Sequence, residues 1–115
     1  MTTSNMHRIE PKRRVADAIA DALEREGVSA VFGIPGGTIS PLNDALLDHE
    51  AVRVFVTRHE TEAVFAACGY AMTRGTPGVV FVTSGPGLTN ALTGLAAAKC
   101  DRLPVVILAG EVPRP

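Results

Sequence analysis

Tryptophan is missing from this 115-residue chain, and aromatic residues make up only 4% of it. Neither sign of charge dominates: eleven basic residues face twelve acidic ones, for a net charge of −1. That balance excludes a large basic surface for DNA or RNA and an acidic solvating tail. Cysteine is scarce, and Cys68 and Cys100 fit no metal-ligand spacing. A reduced, cytoplasmic chain is the simplest reading of that usage. The first residues lack the apolar core that a signal peptide needs. The longest uncharged run, Gly75–Ala98, contains five Gly and two Pro. Those breakers make it a strand, a loop and a helix and exclude a membrane span. No internal repeat or low-complexity tract stands out.

What is present is a soluble, globular composition: 46% hydrophobic and 20% charged residues, rich in Ala, Val, Gly and Leu. The length allows one small domain with a real core, at the small end for an enzyme. Charge is uneven, because Met1–Arg14 carries four basic residues and one acidic residue. Residues 1–11 are expected to form a flexible arm, with Arg8, Lys12, Arg13 and Arg14 solvated, and residues 12–115 the domain. The chain stops at Pro113-Arg114-Pro115, just past an expected strand, which suggests a domain edge or a cut.

Val15, Ile19, Ala22 and Leu23 follow helical spacing and predict an amphipathic helix over Lys12–Glu26, stopped by Gly27. Strands are expected at Val28–Phe32, Val52–Thr57, Gly78–Thr83 and Pro104–Ala109. Helices are expected at Pro41–Asp48, Arg58–Thr73 and from Leu88 to about Lys99, with Gly33–Gly37 and Ser84–Gly87 as Gly-Pro loops. Continuously apolar strands alternating with helices predict an α/β fold, a parallel sheet flanked by helices on both faces. Ligands of such sheets bind beyond the carboxyl ends of the strands. The candidate site is therefore the cluster Gly33–Gly37, Arg58–Glu62, Ser84–Asn90 and Gly110–Pro113.

Two loops carry chemistry. Thr83-Ser84-Gly85-Pro86-Gly87 could cradle a phosphate on backbone N–H groups; equally, it could be a tight turn with Ser84 capping the next helix. It matches neither a dinucleotide fingerprint, which needs Gly where Asn90 stands, nor a phosphate loop with Gly-Lys-Ser/Thr. In Arg58-His59-Glu60-Thr61-Glu62, Glu60 falls at the start of a buried helix. The helix dipole favours the ionised form of an acid there, and burial favours the neutral form that can carry a proton. Glu62 is expected to be a surface acid. His59 and Glu60 lack the second His of a zinc helix, and Ser84 has no evident base for nucleophilic catalysis. His7 and His49 are expected to be solvated, Cys68 to be a small core residue and Cys100 to be more exposed.

Taken in order, these segments resemble the N-terminal pyrimidine-binding domain of thiamine-diphosphate enzymes, and most closely the acetolactate synthase family. The residues are Val31-Phe32-Gly33-Ile34-Pro35-Gly36-Gly37, Arg58-His59-Glu60, Gly69-Tyr70-Ala71, and Thr83-Ser84-Gly85-Pro86-Gly87 with Asn90. Asp101, Pro104 and Gly110 complete a pattern that runs from about Val15 to Pro113. The resemblance implies that Glu60 is catalytic and touches N1′ of the cofactor's aminopyrimidine. Proton sharing there would let N4′ take the proton from C2, and the cofactor would then support decarboxylation and carboligation of 2-keto acids. It implies that Pro86 and Asn90 bind beside the pyrimidine, and that Gly36, Gly37 and His59 line the approach to the reacting carbon.

It further implies thiamine diphosphate and Mg²⁺, with the metal ligands outside this chain, because the Gly-Asp-Gly segment that holds them in the family is missing. The expected partners are a diphosphate-binding domain on the same or another chain, a 2-keto acid substrate and further copies in a homodimer or homotetramer. No nucleic acid and no membrane partner is expected. The chain alone is expected to be inactive. Thr61, Cys68, Met72 and Glu111 depart from residues usual in acetolactate synthases. The alternatives are the small subunit of a split sulfopyruvate- or phosphonopyruvate-type decarboxylase, a non-catalytic cofactor-binding remnant, and a generic nucleotide-binding domain.

Overall fold

Helix-spaced and continuously apolar segments alternate along this chain, and the computed structural model, which describes residues 12–115, converts that alternation into layers. The elements are α1 (Val15–Arg25), β1 (Ala30–Gly33), α2 (Ser40–Leu46), β2 (Arg53–Val56), α3 (Glu60–Arg74), β3 (Gly78–Val82), α4 (Pro86–Asn90), α5 (Leu92–Cys100) and β4 (Val105–Ala109). The strands form one all-parallel sheet in the order β2-β1-β3-β4. The expected arm over 1–11, with Arg8 and His7, lies outside the described residues.

Alternation along the inner strand β3 divides the core. Val79 and Phe81 join Val31, Ala20, Leu42 and Leu46 on the side of α1 and α2. Val80 and Val82 face the other way, with Val64, Ala67, Cys68 and Ala98 of α3 and α5. A strand buried on both faces can be apolar throughout, and all five residues of β3 are buried. The edges are less covered: Val54, Phe55 and Val56 of β2 and Val106 of β4 are exposed. α3 buries one face only, since Phe65 and Met72 remain exposed on it. No helix among the described residues is long and apolar enough to cross a membrane.

Four local expectations are corrected. The helix expected from Leu88 to Lys99 is two helices, broken at Ala91, whose N–H turns back to Leu88 O at 3.0 Å. Gly37 opens a short 3₁₀ turn (Gly37–Ile39) instead of lying in loop. Arg13 and Arg14 are not simply solvated. Arg13 pairs with Asp21, while Arg14 bonds Asp17 at 2.8 Å and reaches Asp44 at 2.7 Å, tying α1 to α2. The Arg14 guanidinium holds the Asp17 carboxyl down at about 2.

The fourth is His49, whose side chain is only 14% exposed, between Glu24 and Asp21 of α1, with Nε2 3.2 Å from Asp21. The Glu24 hydrogen bond raises the imidazole pKa above its ordinary 6.5 against the opposing effect of desolvation, and Asp21 and Asp48 add to the rise. A raised value in the folded state means that this clasp stabilises fully below the unfolded value and is lost as pH rises through the folded one. Thermal melts in a pH series should therefore show the wild type losing its advantage over His49→Gln as pH climbs through that window. Parallel curves would refute the clasp.

Tyr70 explains the Gly69-Tyr70-Ala71 segment structurally. Its hydroxyl accepts the Ser29 N–H at 3.0 Å and lies 3.0 Å from Ser29 Oγ, fastening α3 to the approach to β1. Burial pushes the phenol up, but the Ser29 hydrogen bonds and the Arg74 charge bring it down to about 8.

Candidate functional site

β1 and β3 are neighbours, yet the chain leaves β1 towards β2 on one side and leaves β3 towards β4 on the other. Such a reversal opens a crevice at the carboxyl ends of the two strands, and the loops after β1 and β3 meet there. Thr83 fills the space between two glycines. A Cβ on Gly36 would lie 2.6 Å from Thr83 Cβ, and one on Gly87 would lie 2.9 Å from its Cγ2. The Thr38 and Thr83 hydroxyls are 2.8 Å apart, and Thr38 Oγ1 accepts the Ser84 N–H at 3.0 Å. The loop after β4 closes on the same point, because a Cβ on Gly110 would lie 2.5 Å from the Thr38 carbonyl carbon. Sequence reasoning missed the Thr38–Thr83 pair. Its signal was a hydroxyl in each of two glycine-rich segments that follow apolar strands.

The geometry decides the role of the Ser84 turn. Gly85, not Ser84, is the N-cap of α4, at φ +62° where glycine is favoured, and no side chain caps that helix. The Ser84 N–H is taken by Thr38, and Pro86 has none. Ser84 therefore does not cap the helix, while the Gly87 and Leu88 N–H groups have no acceptor among the described residues.

Glu60 begins α3 and is the one buried charged residue among those described, at 9% exposure. The hydrogen bonds around it bypass its carboxylate. Arg58 N–H reaches Glu62 Oε2 at 3.3 Å, so Glu62 is an exposed acid at the helix start. Thr61 N–H donates to His59 Nδ1 at 3.1 Å, and the Thr61 hydroxyl donates to Asn90 O at 2.5 Å. The enclosed side-chain polar atoms without a partner among the described residues are those of Asn43 and Thr76, so the unpaired Glu60 carboxylate keeps a narrow opening to the outside. Its site therefore suits a ligand that brings a proton donor or a protonatable nitrogen.

The Thr61–Asn90 bond brings the Glu60 end of α3 against α4, which carries Pro86 and Asn90. Pro86, Asn90, Gly37 and His59 are exposed and Gly36 is half-buried. His59 Nδ1 caps α3, which leaves Nε2 without a bond among the described residues. A cleft of about 170 Å³ lies beside this cluster, lined by Ser84, Gly85, Leu88, Ala109, Gly110 and Glu111. Glu60 is not part of its wall. No group of three or more metal-ligating side chains occurs among the described residues.

Residues 13–115 match the family model described as thiamine pyrophosphate enzyme, N-terminal TPP binding domain. Similar curated proteins include acetolactate synthase 3, chloroplastic, of Brassica napus, 47% identical over 89% of this chain and 16% of its own length. The acetolactate synthase large subunit of Parasynechococcus marenigrum is 48% identical over 87% of this chain and 17% of its own. The acetolactate synthase of Mycobacterium bovis is 48% identical over 86% and 16%. The chain thus spans about one-sixth of the length of these relatives.

Proposed function

The chain belongs to the thiamine pyrophosphate enzymes, as their N-terminal TPP binding domain, and on that footing we propose that it activates thiamine diphosphate for an acetolactate-synthase-like reaction of 2-keto acids. The observation that carries the reading is Glu60, a buried carboxylate that no hydrogen bond from the described residues reaches. When bound, thiamine diphosphate supplies a carbon that adds to the keto acid and stabilises the charge left when CO₂ departs.

This chain's residues prepare the site for that chemistry. Glu60 holds and shares a proton at N1′ of the pyrimidine, and its burial keeps water from competing for that proton. Pro86 and Asn90 sit beside the ring. Gly36 and Gly37 keep the approach to the reacting carbon free of side chains, and His59 offers Nε2 towards it. Mg²⁺ and the diphosphate are held by a separate diphosphate-binding domain of the longer protein or of a partner, in a homodimer or homotetramer. Two free cysteines accord with a reducing, cytoplasmic setting. None of the three relatives named above is a sulfopyruvate or phosphonopyruvate decarboxylase, and their identity across this segment supports the synthase over the split-subunit and remnant alternatives.

Titration with thiamine diphosphate tests the reading. Binding should be weak to these 115 residues alone and tight once they are joined to a diphosphate-binding domain, with pyruvate turned over only by the assembly. Robust turnover by the chain alone would overturn the division of labour. Absence of binding in both arms would overturn the cofactor.

A further inference from the structure

Three observations converge on Thr61, a residue to which the activity proposed above gives no role. Its N–H is held by His59 Nδ1 at 3.1 Å. Its hydroxyl donates to Asn90 O at 2.5 Å, the single side-chain hydrogen bond between α3 and α4 among the described residues. Its carbonyl lies against α5, where a Cβ on Gly94 would come within 3.2 Å of Thr61 O and 2.5 Å of Val64 Cβ. Asn90 and Gly94 flank Ala91, the fully buried residue at which α4 breaks from α5. The break therefore straddles Thr61: the hydroxyl grips the chain before it and the backbone packs against the chain after it.

We propose that Thr61 is a positioning residue, which fixes the distance between Glu60 on α3 and the Pro86–Asn90 segment through its hydrogen bond to the Asn90 carbonyl. The inference rests on the reading of Glu60 as the proton-sharing acid. The acid sits on one helix and the residues beside the ring on another, so proton sharing depends on how rigidly the two helices are joined. A displacement of a fraction of an ångström between acid and ring is enough to impair proton transfer. Thr61 adjoins the acid in sequence and touches the second helix directly. It is not a catalytic residue, because its own groups are committed to protein partners.

The test uses the complete enzyme with Thr61→Val, which keeps the branched shape and removes the donor, and Thr61→Ser, which keeps the donor. Thr61→Ala is read in parallel as a smaller hydroxyl-free variant should T61V fold poorly. In T61V, kcat on pyruvate should fall roughly ten-fold with KM little changed, and T61S should recover to within about three-fold of wild type. In cofactor-free protein, amide exchange across residues 88–92 should quicken in T61V and not in T61S. Wild-type kcat in T61V or T61A, no rescue by T61S, or unchanged exchange would each overturn the proposal. Glu60→Gln in the same preparation separates the two claims. Near-normal turnover there sinks the Glu60 reading, while the exchange result still judges the α3–α4 tie.

Discussion

Glu60→Gln should lower turnover of the complete enzyme by about 10²- to 10⁴-fold, the range associated with loss of a positioned proton carrier. The amide has the same shape and fills the same space, but it cannot share a proton with a ring nitrogen as a carboxyl group does. A structural role predicts something different. Glu60 is the one buried charged residue among those described, and none of the described residues hydrogen-bonds its carboxylate. Replacing the acid by an amide of the same shape breaks no hydrogen bond among the described residues and opens no cavity. The variant should therefore melt at about the same temperature as wild type. Steady-state kinetics on pyruvate and a thermal melt of the same sample read both quantities. Low activity with unimpaired stability is the expected signature, and near-normal turnover would remove Glu60 from its role.

Gly78→Ala should cost about 3 kcal/mol of stability, at the upper end for overpacking a core. Gly78 begins β3 beneath α3, and a Cβ there would lie 2.1 Å from Ala67 O and 2.6 Å from Ala67 C. Both atoms belong to helix backbone, so no rotamer change relieves the clash and α3 must lift from the sheet. That movement would loosen Val64, Ala67 and Cys68 from Val80 and Val82, and would disturb the helix that carries Glu60. Gly69→Ala is the control in the same helix: nothing lies within 4 Å of its added Cβ, and Ala in a helix interior gains about 1 kcal/mol over Gly. Chemical denaturation of both variants should move the midpoints in opposite directions. A Gly78→Ala midpoint at the wild-type value would refute the close approach.

The sequence announced the order of elements because β3 and α3 write their burial into local patterns. Gly78–Val82 is continuously apolar and strand-length, and the run to Arg74 is Ala-rich and ends at Gly75, whose φ of +68° closes the helix. Glu60 was legible for the same reason, since a strand-to-helix junction fixes its place. What stayed hidden depends on contacts between distant residues. Thr38 meets Thr83, Thr61 meets Asn90 and His49 meets Glu24, and no period along the chain encodes those pairings. The break at Ala91 was missed because Leu88, Leu92 and Leu95 keep helical spacing across it. The capping use of His59 was not legible either: its imidazole satisfies the first turn of α3, a demand that every helix start makes.

The strand order also has a consequence for handling the protein. β2 and β4 each present one side with no neighbour among the described residues. On β2 the guanidinium of Arg53 lies 5.1 Å from the Phe55 ring centroid, and a charge on an outer strand discourages adhesion. The residues of β4, Val105–Ala109, carry no charge, and Val106 is 44% exposed. An uncharged strand with free N–H and C=O groups is a template on which a second molecule can continue the ladder. Pro104 before it and Pro113 after it limit how far such pairing can spread, since proline supplies no donor. Concentrated samples of the chain by itself are thus expected to self-associate through β4, so an uncharged edge strand, and not the crevice, sets the solubility ceiling.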